Sequence, residues 1–167
     1  FGEAIANAVD LGPIALGEST GLAGLDSLIL GWRPGEVTYI TGHTGQGKST
    51  FGTYCGDLLA QRGIPVLLSA FEDGPCAIAL KVFRRRFGRS IATQLTPEDR
   101  AAALAVVPVL ARDPIYVIDA YGRVLWQDVV DAVRYAVHRL GVKFVLLDHL
   151  HFFARGHGVD SVDHLDK

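Results

Sequence analysis

Apolar residues recur along this chain in two rhythms. From Ser49 to Gln61, Phe51, Tyr54, Cys55, Leu58 and Leu59 fall at helical steps, and Gly63 stops the run. Residues 64–70 are almost continuously apolar, the pattern of a strand covered on both faces of a parallel sheet. The alternation then repeats. Helices are predicted over 75–87 and 97–111, the second with Thr96 as N-cap and Asp99 in its first turn. A strand follows at 115–118. Next comes a helix at 125–140 with its apolar face at Val129, Ala132, Val133, Ala136, Val137 and Leu140, ended by Gly141. The last strand is predicted over 143–147. Upstream, Pro34-Gly35 turns the chain into 36–41, also predicted as a strand. Strands alternating with helices of this length imply an α/β domain with a largely parallel sheet flanked by helices and right-handed crossovers.

Composition narrows the class. The chain has 167 residues, 49% hydrophobic and 20% charged, which suits one globular domain and excludes disordered and fibrous classes. A net charge of −2 gives no bulk positive field toward nucleic acid or acidic membranes, so any such contact is expected to be local. The longest apolar stretches, 64–71 and 101–111, fall short of the ~20 residues that cross a bilayer, so no membrane partner is expected. Cys55 and Cys76 show neither metal spacing nor disulfide density, which suggests reduced thiols and an intracellular compartment, cytoplasmic by default, with a mitochondrial one left open. The sequence starts at Phe1 and contains no Met, and is therefore expected to be a piece of a longer chain. Ile5, Ala8 and Val9 suit a short helix within 1–10, and a Gly- and Pro-containing stretch follows. Residues 1–18 thus read as a linker and 19–167 as the core.

Between the 36–41 segment and the helix lies Gly42-His43-Thr44-Gly45-Gln46-Gly47-Lys48-Ser49, followed by Thr50. It fits GxxxxGK[ST] at every fixed position, between a predicted strand and a predicted helix. A polyphosphate needs many donors close together. Glycines let the backbone wrap with its N–H groups inward, and the helix N-terminus adds its positive dipole end. Lys48 is expected to reach the β- and γ-phosphates, and the Ser49 hydroxyl to ligate Mg²⁺. ATP and Mg²⁺ are the expected ligands.

Two acids accompany this loop. Asp148 ends the apolar run Phe144-Val145-Leu146-Leu147, as expected of a buried strand delivering a carboxylate to the Mg²⁺ side of the phosphate site. Glu72 closes the strand at 64–70, and adjacent strand ends of a parallel sheet share the ligand-binding edge. A carboxylate there can hold and polarise a water in line with the γ-phosphate, so Glu72 is the expected general base, with Asp73 as its substitute.

Taken together, Gly21-x-x-Gly24-Leu25-Asp26, Gly31-x-x-Pro34-Gly35-Glu36, the phosphate loop, Ser69-x-Phe71-Glu72 and Leu147-Asp148-His149-Leu150 resemble the RecA-type ATPase core of hexameric replicative DNA helicases. The leading elements are shared with RecA, RadA and KaiC proteins and indicate the superfamily. The run Asp148-His149-Leu150-His151-Phe152 looks closest to the Twinkle and phage primase–helicase branch rather than the bacterial DnaB branch. The resemblance implies a RecA-like P-loop fold and a homo-oligomeric, hexameric ring acting on single-stranded DNA. It implies phosphate and metal roles for Lys48 and Ser49, the catalytic base at Glu72 and the Walker B acid at Asp148. Residues 1–10 would correspond to a helix docking on a neighbouring subunit. The loop around Arg155 and His157 would face the central channel, which makes both candidate DNA contacts. In that family the arginine finger and γ-phosphate sensor follow the Walker B strand, and such fingers contribute about 10³–10⁵ in rate. The 167-residue chain is thus expected to bind nucleotide and hydrolyse it poorly.

Other features read more plainly. Lys81, Arg84, Arg85, Arg86 and Arg89 suit a solvated helix face. His149 and His151 lack the further ligands a metal site needs, and Trp32 and Trp126 suit packing.

Overall fold

The computed structural model describes Gly2 and residues 16–71, 74–88, 96–119 and 125–148. The chain divides into two compact units, Phe1–Ile40 and Thr41–Lys167.

In the first unit, helix α1 (Ala23–Ile29) is a short element that was not predicted, although Leu25, Leu28 and Ile29 fall at helical steps. Asp26 within it organises the chain before it. Its carboxylate accepts from the Ser19 hydroxyl at 2.5 Å and from the Thr20 N–H at 2.7 Å. Glu18 and Trp32 exchange backbone hydrogen bonds at 2.9 and 2.7 Å. Gly31 makes that approach possible, since at its φ of +80° a Cβ would stand 2.7 Å from the Glu18 carbonyl oxygen. The strand predicted over 36–41 is absent: these residues are not hydrogen-bonded in a ladder, and Val37 is 77% and Tyr39 72% exposed. The side chains carry strand propensity, but a strand also needs a neighbour to take up its backbone donors and acceptors. The expected helix within 1–10 lies outside the described residues, apart from Gly2.

The second unit is built on α2 (Lys48–Gln61), β1 (Val66–Ala70), α3 (Gly74–Phe87), α4 (Pro97–Leu110), β2 (Ile115–Val117), α5 (Trp126–Leu140) and β3 (Phe144–Asp148). The three strands form a parallel sheet in the order β2-β1-β3. The expectation of an α/β fold with a parallel sheet flanked by helices holds, and the arrangement is consistent with a RecA-like P-loop fold. Element boundaries agree with those predicted to within two residues. Thr96 caps α4 as expected, its hydroxyl accepting from the Asp99 N–H at 3.1 Å.

Neighbouring β1 residues face opposite sides of the sheet. Leu67 packs with Ala136 of α5 and with Val142, beside Val133, Leu140 and Val145. Leu68 faces α2, which lies close because it carries glycine where side chains would collide. A Cβ on Gly56 would stand 2.6 Å from Leu68 Cδ2, and one on Gly52 2.8 Å from Leu146 Cδ1. The apolar face expected on α5 is narrower than predicted: Val129 and Ala136 are buried, but Val137 is 42% exposed.

Candidate nucleotide site

The sheet dictates where a ligand could bind. Only residues 62–65 separate α2 from β1, so α2 runs back over the sheet and its first turn lies toward the C-terminal ends of the strands. That turn carries Lys48 and Ser49 and no acid, which leaves its N–H groups and positive dipole end available to an anion.

The loop before it closes on itself. The His43 N–H donates to the Gln46 side-chain oxygen at 2.9 Å, and the Gln46 N–H to the His43 carbonyl at 3.3 Å. Gly45 and Gly47 adopt φ of +82° and +85°, and Gly47 caps α2 by accepting from the Phe51 N–H at 2.8 Å. Residues 42–47 are exposed. Lys48 folds back so that Nζ donates to the carbonyl oxygens of Gly42 at 2.7 Å and His43 at 2.9 Å. Among the described residues no carboxylate pairs with it. An ammonium held by neutral carbonyls keeps its full charge for a phosphate.

On the strand side, β1 and β3 run in register with Ala70 opposite Asp148, and the Phe71 N–H donates to the Asp148 carbonyl at 3.1 Å. The buried Ser69 hydroxyl donates to the Leu146 carbonyl at 2.8 Å, a second tie between these strand ends. Asp148 is half-buried at the end of β3, on the edge the sequence assigns to the metal. The chain leaves β1 at the same edge toward Glu72 and Asp73, which lie outside the described residues, as do His149, His151, Arg155 and His157.

The donor chemistry fits Mg²⁺. Among the described residues no three His, Cys, Asp or Glu side chains cluster as a protein-only cage. Mg²⁺ in phosphate sites instead takes one or two protein oxygens together with phosphate and water, and the Ser49 hydroxyl and Asp148 carboxylate are hard oxygen donors of that kind.

The basic cluster on α3 needs correction. Arg84 is exposed, as a solvated face requires, but Arg85 and Arg86 turn inward onto Asp57 of α2, whose side chain is fully buried. Arg85 engages one Asp57 oxygen and Arg86 the other, with Arg86 Nε at 2.8 Å. Arg86 also pairs with Asp113, in the turn before β2, and Arg85 lies over the Tyr54 ring, 5.5 Å from its centroid. Burial pulls the Arg86 pKa down, but hydrogen bonds and charges from Asp57 and Asp113 outweigh it, so the net shift is upward. One signal pointed here: Asp57 sits between Tyr54-Cys55 and Leu58-Leu59, on the apolar side of α2. Arg89 lies outside the described residues.

No helix among the described residues is long and apolar enough to cross a membrane. Residues 14–165 match a family model described as AAA domain, so the match takes in the phosphate loop, both candidate acids and every described strand.

Proposed function

Because the chain belongs to the AAA domain family of P-loop ATPases, we propose that it is the ATP-binding core of a ring-forming DNA helicase that couples ATP hydrolysis to movement along single-stranded DNA. One observation supports the nucleotide part of this reading: Lys48 Nζ rests on the neutral carbonyls of Gly42 and His43 at the start of a helix whose first turn carries no acid. The helicase part rests on the resemblance of residues 148–152.

In this reading ATP lies along residues 44–49. Lys48 swings from the Gly42 and His43 carbonyls onto the β- and γ-phosphates. Ser49 and Asp148 hold Mg²⁺, which when bound neutralises charge on the phosphate oxygens. Glu72 accepts a proton from the attacking water. A neighbouring subunit completes the site, and Arg155 and His157 touch the DNA strand.

The intact protein tests this by ATP turnover with and without single-stranded DNA, and by unwinding of a forked duplex. DNA-stimulated turnover with unwinding is expected, and Glu72→Gln should abolish both while leaving ATP binding in place. Strand exchange without unwinding would point to a recombinase instead. Full activity in Glu72→Gln would remove the hydrolytic assignment and favour a nucleotide-gated assembly module.

A further inference from the structure

The edge of the sheet opposite the nucleotide site carries a charge pattern with no part in the chemistry above. Residues 62–65, 111–114 and 141–143 lead into β1, β2 and β3. These turns lie side by side, because the Val66 N–H donates to the Pro114 carbonyl and the Lys143 N–H to the Pro65 carbonyl, each at 2.9 Å. Helices α2, α4 and α5 end at the same turns, and Arg86, near the end of α3, reaches Asp113 in one of them. The C-termini of all these helices meet at this edge.

Charge is sorted along the strand direction as a result. Arg62, Arg84, Arg112, Arg139 and Lys143 are exposed at this edge. The acids beside them are Asp57 and Asp113, and Arg85 and Arg86 engage both. The other described acids of this unit lie toward the nucleotide edge. Glu98, Asp99, Asp128 and Asp131 sit in the first two turns of α4 and α5, and Asp119 and Asp148 at the ends of β2 and β3. Helix dipoles draw bases to C-termini, which accounts for Arg84 and Arg139 in the last turns of α3 and α5. They do not account for Lys143, which stands at a strand entry, since a sheet has little dipole of its own. Among the described residues, no acid pairs with the side chains of Arg84, Arg112, Arg139 or Lys143. Neighbouring strands are about 4.8 Å apart, so the three strand entries span about 10 Å, one Debye length at 0.1 M salt, and their fields add.

The partner follows from what the surface offers. Most of these cations are Arg, whose planar fork matches phosphate oxygens. No large apolar side chain is exposed on the three turns, so they lack both the anchor of a protein hot spot and the apolar face that enters a membrane. A phosphate backbone requires neither. We propose that this basic edge binds the phosphate backbone of a nucleic acid strand without regard to base sequence. The turns offer no helix or ribbon to enter a groove, so the contacts stop at the backbone. The surface is distinct from the candidate contacts Arg155 and His157, and its role does not depend on unwinding.

The test combines Arg84→Gln, Arg112→Gln, Arg139→Gln and Lys143→Gln in the intact protein. Binding of a fluorescent oligothymidylate of about 20 nucleotides is read by anisotropy at several sodium chloride concentrations. Each lost phosphate contact removes about 0.7 from the slope of log affinity against log salt, so the slope should shrink by about 3 and affinity at 0.1 M should fall at least tenfold. ATP affinity should stay within about threefold, because Lys48 lies at the other edge. Arg100→Gln with Arg134→Gln removes two exposed cations elsewhere and controls for net charge. Arg112→Gln with Lys143→Gln should weaken oligothymidylate binding at least fivefold more than that control. A folded fourfold variant with parental affinity and slope overturns the proposal, and so does a control pair that loses as much as Arg112→Gln with Lys143→Gln. Retained oligothymidylate binding with lost binding of polyglutamate would assign the edge to an acidic protein and overturn it too. Should the fourfold variant not fold, the Arg112 and Lys143 pair carries the test, with a slope change of about 1.4 expected and no change overturning the proposal. Hydrolysis enters none of these readouts, so the helicase reading and this one fail separately.

Discussion

Helix α2 holds charge in two different ways along its length. At its start, Lys48 is half-buried and rests on the carbonyls of Gly42 and His43. Nine residues on, Asp57 is fully buried and closed off by two guanidiniums. The first is a cation whose neutral partners leave its charge unspent, so it can exchange them for phosphate. The second is a set of opposite charges paired with one another around a buried carboxylate. Exposure and the charge of the partner, rather than residue type, separate a binding group from a structural one.

The largest effect that follows is on stability, at the buried end. Asp57→Asn leaves Arg85 and Arg86 facing each other without their shared carboxylate, and breaking a buried pair this way costs about 3–5 kcal/mol. Urea unfolding should show a loss of that size. A loss under about 1 kcal/mol would mean the two ends of α2 are not as different as their burial suggests.

Next in size is the opposite result at the loop. Lys48→Ala removes a charge-assisted contact worth about 1.5–3 kcal/mol to a bound phosphate, so ATP affinity should fall roughly 10- to 100-fold in a titration. Unfolding free energy should change by no more than about 1 kcal/mol, since the ammonium is already within reach of water. A stability loss matching that of Asp57→Asn would collapse the distinction.

The two ends were also unequally legible in the sequence. The loop announces itself because its chemistry is local: eight consecutive residues contain the glycines, the lysine and the hydroxyl. The Asp57 cluster depends on partners 28 and 29 residues away, and neither helix alone shows which of its faces meets the other. Arg84, Arg85 and Arg86 look alike in sequence, yet only the last two reach Asp57. Strand order had the same limit. Residues 66–70 and 36–41 are both rich in strand-forming side chains, but only the first finds neighbours on both sides, in β2 and β3. Helix α1 was missed for another reason. Leu25, Leu28 and Ile29 fall at helical steps, but over only seven residues and with none of them buried, and hydrogen bonds from Ser19 and Thr20 to Asp26 tie the segment to the chain before it.

Between the two ends, Gly52 and Gly56 let α2 approach the sheet, and they allow a milder perturbation. In Gly56→Ala the new methyl would meet Leu68 Cδ2 at 2.6 Å, an overpacking that costs about 1–3 kcal/mol. Better helix propensity returns roughly 1 kcal/mol, so a net loss near 1 kcal/mol is expected. Because Leu68 lies mid-strand, away from the sheet edge, ATP affinity should hold within about threefold. A large affinity change would show that strain at the sheet reaches the loop.

The smallest effects are those of pH and salt, and they separate the ends most cleanly. Arg86 has its pKa raised by Asp57 and Asp113 against the pull of burial. A group whose pKa is raised on folding contributes stability fully below its unfolded value and loses it only as pH climbs through the folded one. For a guanidinium both values lie beyond the ordinary working range, so the stability gap between the parent and Arg86→Met should stay flat from pH 7 to 10. Salt acts on the same contrast. Ions screen exposed charges within a Debye length of about 10 Å at 0.1 M and penetrate buried pairs far less. Raising sodium chloride from 0.05 to 0.5 M should therefore weaken ATP binding several-fold through Lys48, while the Arg86→Met gap moves by under about 0.5 kcal/mol. A gap that shrinks in step with ATP affinity would place water among the Asp57 guanidiniums and make that cluster as open to exchange as the loop.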